Sequence, residues 1–166
     1  MDFNEIYRLY AIKIKRYFIY LTHDNDLAEE MLQETFYRAY KSVDHYNGTC
    51  KMITWLYGIA KNCWLEHLRR SKKNQEISIE SIIPEIPIHE TPEDQIIADE
   101  AVKRIFEHTA TIPEPYGEIL RLRLFEGMSY SEISEIYGKT ENWVRVTFFR
   151  AKIKLAEELK KHEDTL

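Results

Sequence analysis

Ser129-Tyr130-Ser131-Glu132-Ile133-Ser134-Glu135-Ile136-Tyr137-Gly138-Lys139-Thr140-Glu141-Asn142-Trp143-Val144-Arg145-Val146-Thr147-Phe148-Phe149-Arg150-Ala151-Lys152 contains two helix starts with one helix stop between them. Ser129 followed three residues later by Glu132 is a capping box, in which the hydroxyl and the carboxylate each satisfy a free backbone N–H at the helix start. Gly138 supplies the left-handed residue that ends a helix, and Thr140 caps the next one. Two helices joined by Gly138-Lys139-Thr140 predict a helix-turn-helix. In that motif the second helix offers its outward face to base edges in the major groove while the first crosses the backbone. With Val144, Phe148, Ala151, Leu155 and Leu159 turned inward, Asn142, Arg145, Val146, Phe149 and Lys152 face outward. Arg can grip guanine O6 and N7 with two parallel hydrogen bonds, Asn can do the same for adenine, and further Lys or Arg neutralise phosphates. Phe149 suits a sugar or a thymine methyl. The same spacing would serve an ordinary helical hairpin.

Upstream, Tyr116 to Glu126 reads as a helix closed by Gly127, and Thr91-Pro92-Glu93-Asp94 as the start of a helix running to about Thr109. Asn74 to Glu90 has no helical period and carries Pro84 and Pro87, which predicts an extended connector. Before it, Phe3, Ile6, Tyr7, Tyr10, Ile14, Tyr17, Phe18 and Leu21 recur at helical spacing and predict a helix over 3–22. A second helix is expected from an Asp26 cap, with Glu29 reaching back to it, through Val43. It ends near Tyr46-Asn47-Gly48. A third, from about Ile53 to Ser71, buries Leu56, Ile59, Ala60, Cys63 and Leu68, so Cys63 is read as a buried, inert thiol. The expectation is an all-α chain of two small helical domains, residues 1–73 and 92–162, joined by an acidic linker over 74–91.

Charge separates along the same lines. The chain carries a net −5 over 166 residues, yet Glu76 to Glu100 alone holds eight acidic residues and no Lys or Arg, so the remainder is net basic. Lys61, Arg69, Arg70, Lys72 and Lys73 form one basic run, and Lys139 to Lys161 holds another seven basic residues. Two basic surfaces flanking an acidic connector point to a polyanionic partner. Other classes recede. Five glycines leave no Gly-rich phosphate loop, and the two cysteines form no CxxC pair. The six histidines are scattered, and no nucleophile sits in a recognisable setting, so no catalytic residue, metal or cofactor is expected. No apolar run approaches the length of a membrane span, and the N-terminus lacks a signal-peptide pattern, which predicts a cytoplasmic protein.

Four blocks, in order, resemble the extracytoplasmic-function (ECF) sigma factors, the compact RNA polymerase specificity subunits built only of sigma regions two and four. Asp26-Leu27-Ala28-Glu29-Glu30-Met31-Leu32-Gln33-Glu34-Thr35-Phe36-Tyr37-Arg38-Ala39-Tyr40 is similar to region 2.2. Ile53-Thr54-Trp55-Leu56-Tyr57-Gly58-Ile59-Ala60-Lys61-Asn62, closing with Leu68-Arg69-Arg70, resembles regions 2.3 and 2.4. Ile119 to Arg123 with Phe125 to Ile133, and Val144-Arg145-Val146 with Phe149-Arg150-Ala151, resemble region four. The pattern departs from the family at Thr147, where relatives often carry a basic residue, and at Asn142-Trp143.

The resemblance implies a chain that binds core RNA polymerase, directs it to promoter DNA and helps open the duplex. It places polymerase docking on Gln33, Glu34 and Phe36. It places minus-10 reading on Tyr46, Asn47, Gly48, Thr49, Cys50 and Lys51, with Asn62, and phosphate contacts on Lys61, Arg69, Arg70, Lys72 and Lys73. Minus-35 reading falls on Asn142, Trp143, Arg145, Val146, Phe149, Arg150 and Lys152. It also implies a free monomer and an anti-sigma factor, often membrane-anchored, that covers these surfaces. Trp55 and Trp64 are read mostly as core packing, with a role of Trp55 in melting the duplex as the lesser alternative. The rival expectation is a stand-alone helix-turn-helix regulator, which accounts for the last third of the chain and leaves the Asp26–Tyr40 and Trp55–Arg70 blocks without a role.

Overall fold

The computed structural model describes residues 2–74 and 100–164. These contain seven α-helices, one short 3-10 helix and no strand. The expected connector and the expected Thr91-Pro92 helix start lie almost wholly outside the described residues. The chain divides into two compact units, one holding α1 (Phe3–Thr22), α2 (Asn25–Ser42) and α3 (Met52–Asn74), the other α4 (Glu100–Thr109), α5 (Tyr116–Leu124), α6 (Tyr130–Tyr137) and α7 (Glu141–Glu163).

In the first unit α1 spans the residues its apolar period predicts. His23 stops it in a left-handed conformation, φ 52°, donating its N–H to the Ile19 carbonyl at 2.9 Å. The chain then reverses at once, because Asp24 is extended and its carboxylate accepts from the N–H groups of Asp26 and Leu27 at 2.9 and 3.1 Å. The cap of α2 is therefore Asp24, two residues before the expected Asp26, which instead lies in the first turn where its charge opposes the helix dipole favourably. Ile6, Ile14 and Phe18 of α1 meet Ala28, Met31, Leu32 and Phe36 of α2 and Leu56, Tyr57, Ala60 and Cys63 of α3 in one core. Each large side chain removed from water here contributes about 1.5–3 kcal/mol. Ile59 and Leu68, expected inside, are half-buried, while Thr54 and Tyr57 take inward positions of α3.

In the second unit a buried polar clamp holds α4, α5 and α6 together. Arg121, 7 % exposed, donates to the Thr109 carbonyl at 3.1 Å and to Glu114 at 2.7 Å. Glu114 in turn accepts from the Glu118 N–H at 2.8 Å, and buried Glu118 accepts from the Tyr137 hydroxyl of α6. Gly117 lets the last residues of α4 come close, since a Cβ there would stand 2.5 Å from the Thr109 carbonyl oxygen. Ile119, Leu120, Leu122, Ile133, Val144, Phe148, Ala151 and Leu155 fill the core above the clamp. Leu159, expected inside, is half-buried; Thr147 is inside, its hydroxyl donating to the Trp143 carbonyl.

Candidate nucleic-acid interface

The helix-turn-helix forms as its local signals require. Ser129 and Glu132 make the reciprocal capping box, with bonds of 3.1 and 2.8 Å. Gly138, φ 61°, ends α6 with its N–H on the Glu135 carbonyl, a conformation that would strain any residue with a Cβ. Thr140 then caps α7 by accepting from the Trp143 N–H at 3.1 Å.

At 3.6 residues per turn Asn142, Val146, Phe149 and Ile153 fall in one stripe of α7, opposite the buried Val144, Phe148 and Ala151. All four are exposed, Phe149 to 60 %, which is a large apolar area for a helix face with no partner inside its own unit. Arg145 and Lys152 flank the stripe on one side and Arg150 on the other. The Lys152 ammonium lies 5.1 Å from the Phe148 ring centre and 5.9 Å from that of Phe149. The Arg145 guanidinium sits 5.2 Å from the centre of the Tyr130 ring, at the start of α6. Trp143 is half-buried against Tyr137, ring centres 5.4 Å apart, with the Lys139 ammonium 5.9 Å away, so its ring closes the turn. Ile153 escaped the sequence reading although it stands one and two turns beyond Phe149 and Val146 on the same side.

In the first unit the Tyr46–Lys51 loop is an ordered turn between the 3-10 helix Val43–His45 and α3. The Tyr46 hydroxyl donates to the Cys50 carbonyl, its ring leans on Trp55 with centres 5.3 Å apart, and burial pushes its pKa up. Asn47 accepts from the Thr49 N–H at 3.1 Å, and the Lys51 carbonyl accepts from the Trp55 N–H at 3.1 Å, which ties the loop to the start of α3. Asn47, Gly48, Thr49 and Lys51 are exposed; Tyr46 and Cys50 are half-buried. From this loop a single face of α3 carries Trp55, Gly58, Asn62, Leu65 and Arg69, with Asn62, Leu65 and Arg69 exposed. A flat half-buried ring, open space over Gly58, an exposed amide and then basic residues follow one another along it. That order suits an unstacked strand, which needs a stacking surface, edge hydrogen bonds and counter-charges. Trp64 instead stacks on His67, 15° from parallel. Arg70 lies 3.9 Å from Glu66, and the side chain of Lys73 is outside the described ones.

The third surface is α2. Gln33 is exposed and Glu34 half-buried, but Phe36 is 4 % exposed, its ring met edge-on by Phe3 and Tyr7. Phe36 thus belongs to the core and has almost no area to offer a partner. Tyr37 and Tyr40, 57 % and 62 % exposed, stand one and two turns from Gln33 on the same face and were missed by the sequence reading. Behind them a cleft of about 320 Å³ opens between α2 and α3. Across it Arg38 donates to Glu66 through its two terminal nitrogens, Nη1 and Nη2, and to Glu34 through Nε. This arrangement holds the Glu66 carboxyl below the usual range and raises Arg38 further. Cys63 lies at the base of the cleft, its thiol pushed up by burial, which keeps it protonated and unreactive.

Among the described residues no three His, Cys, Asp or Glu side chains gather as metal ligands, and no helix is long and apolar enough to cross a membrane.

Comparison with known proteins covers both units. Residues 6–74 match the family model of sigma-70 region 2 and residues 109–155 that of sigma-70 region 4. The chain is 29% identical over 161 residues to the ECF RNA polymerase sigma factor SigM of Bacillus subtilis, covering 93% of each chain. It is 30% identical over 158 residues to the ECF RNA polymerase sigma-E factor of Haemophilus influenzae, covering 90% of this chain and 83% of the relative. Its fold is shared with the sigma factor RpoE of Bartonella quintana, solved with the anti-sigma factor NepR, at a TM-score of 0.75, 21% identity and coverage of 96% and 97%. CnrH, solved with the cytosolic domain of CnrY, aligns at a TM-score of 0.66 and 16% identity over 96% of this chain and 88% of that one. The region 2 match gives the first half of the chain the role that a stand-alone helix-turn-helix regulator leaves unexplained, and the chain belongs to the extracytoplasmic-function RNA polymerase sigma factors.

Proposed function

We propose a division of labour for this sigma factor, which directs core RNA polymerase to promoters, in which each exposed surface meets one partner. Residues 1–73 form the region 2 domain, 74–91 the connector and 92–162 the region 4 domain. The α2 face, through Gln33, Glu34, Tyr37 and Tyr40, docks on polymerase, with Phe36 beneath it as support. The loop Tyr46–Lys51 and Asn62 read unstacked minus-10 bases of the non-template strand. Lys61, Arg69 and Arg70 hold the adjoining phosphates. Asn142, Arg145, Val146 and Phe149 read the minus-35 element in the major groove, Arg150 and Lys152 hold its backbone, and Trp143 fixes the turn.

The observation that carries this reading is the exposed stripe of α7, where an apolar line bordered by arginine and lysine has no packing role within its own unit. The bond-making step belongs to the polymerase, so no catalytic group is assigned here. We place the protein in the cytoplasm, monomeric when free and restrained by an anti-sigma factor; the sigma factor RpoE, whose fold it shares, was solved in complex with the anti-sigma factor NepR. The test is transcription in vitro with core polymerase plus this protein, followed by mapping of start sites. Defined starts that share upstream elements and are not used by core alone are expected; their absence, with tight palindromic DNA binding by the free protein, would establish the regulator instead.

A further inference from the structure

Tyr130 holds two cations at once. The Arg123 guanidinium carbon lies 4.6 Å from its ring centre and that of Arg145 5.2 Å, distances at which the ring's π density attracts a positive charge. Neither contact is a loose surface encounter on the tyrosine side. Tyr130 is the first residue of α6, fixed by the Ser129–Glu132 capping box, and its ring meets the Phe148 ring of α7 edge-on with centres 5.9 Å apart. Arg123 is tied as well, donating to the Met128 carbonyl at 2.8 Å. Arg145, by contrast, is exposed, and among the described residues the contact that orders its guanidinium is the Tyr130 ring of α6.

A free arginine side chain must give up several rotors when it grips a base edge, and a contact that orders it beforehand lowers that cost. Arg123 adds direction, since a second guanidinium on the same ring repels Arg145 and disfavours its folding back toward α5. We infer that Tyr130 is a positioning residue for Arg145: it presents the guanidinium fork outward beside the α7 stripe and so sets selectivity for one guanine in the element that α7 reads. The inference rests on the reading of α7 as the base-reading helix. Tyr130 itself need touch no base.

The experiment is holoenzyme binding to a library of minus-35 variants, with wild type, Arg145→Ala, Tyr130→Phe, Tyr130→Leu and the double variant Tyr130→Leu/Arg145→Ala. Arg145→Ala is expected to lose preference at one position on the order of tenfold. Tyr130→Leu is expected to lose about two- to fivefold at that same position, Tyr130→Phe to retain it, and the double variant to match Arg145→Ala. A uniform weakening across the library by Tyr130→Leu, or no change at all, overturns the positioning role while leaving the reading of α7 intact. If Arg145→Ala itself flattens no position, that reading of Arg145 falls and the inference falls with it. A second measurement needs no variant: in the free full-length chain the Arg145 side-chain NMR signals should be displaced by the Tyr130 ring current. Signals at unstructured values would overturn the proposal.

Discussion

Arg38 on α2 grips Glu66 on α3 through two nitrogens, at 2.8 and 3.0 Å, across 28 residues of sequence. It is the polar fastening between the helix proposed to meet polymerase and the helix proposed to read DNA. Because Arg38 holds the Glu66 carboxyl below its usual range, the fastening contributes stability above the carboxylate's unfolded pKa and loses it as pH falls through the lower folded value. The thermal midpoint of Glu66→Gln should therefore lie below wild type at neutral pH, with the gap closing as pH falls below the usual carboxylate range. Calorimetry of the full chain across that range checks it, and a gap independent of pH would show that the pair acts by packing alone.

Two glycines make opposite predictions. Gly117→Ala forces a methyl to 2.5 Å from the Thr109 carbonyl and 3.0 Å from that of Ile112, and overpacking against backbone costs roughly 1–3 kcal/mol. Gly58→Ala meets nothing within 4 Å in the middle of α3 and should gain about 0.5–1 kcal/mol from helix propensity. Urea denaturation of both variants measures the pair; a stable Gly117→Ala would mean that α4 and α5 can separate without loss.

Asn62 is exposed, two turns along α3 from Trp55, and its amide has no core to support. Asn62→Ala should leave polymerase binding and thermal stability unchanged while slowing promoter opening. Permanganate reactivity of unpaired thymines over time reads the opening directly. An unchanged rate removes Asn62 from the minus-10 site.

Arg150 lies on the side of the α7 stripe away from Arg145. Arg150→Ala should weaken holoenzyme binding to all minus-35 variants alike and reduce the salt slope by about one unit, the signature of a phosphate contact. A change of base preference would make Arg150 a reader.

The isolated protein should bind duplex promoter DNA weakly at physiological salt. Its net charge is −5, and the stretch Glu76–Glu100 between the two basic ones holds eight acidic residues and no Lys or Arg. Titration by fluorescence anisotropy, with and without core polymerase, checks this; nanomolar sequence-specific binding by the free chain would count against it.

Local chemistry made much of the fold legible in the sequence. The Ser129–Glu132 box, the Gly138 stop and the Thr140 cap are each decided within four residues, so reading them in order was enough to draw the helix-turn-helix. The inward positions of α7 followed from a period of 3.6, and the sigma-factor blocks from residues contiguous in the chain. The cap of α2 was displaced because Asp24 and Asp26 are equally good caps in sequence. Only the left-handed turn at His23, set by how α1 packs on α2, selects the earlier one.

Tertiary structure alone decided which of the candidate residues are surface and which are support. Phe36 and Tyr37 are neighbours in the same block, but rotation by one helical step puts the first under Phe3 and Tyr7 and leaves the second 57 % exposed. Trp143 and Tyr46 carry large polar-tipped rings in stretches assigned to DNA, and each is half-buried by a partner, Tyr137 for one and Trp55 for the other. The Arg38–Glu66 grip and the Arg123–Tyr130–Arg145 stack join side chains from different helices, whose approach depends on how those helices pack. The sequence by itself determined the family and, apart from the start of α2, the helix caps it named, because those depend on neighbours along the chain; packing determined what each exposed face can touch, because that depends on neighbours in space.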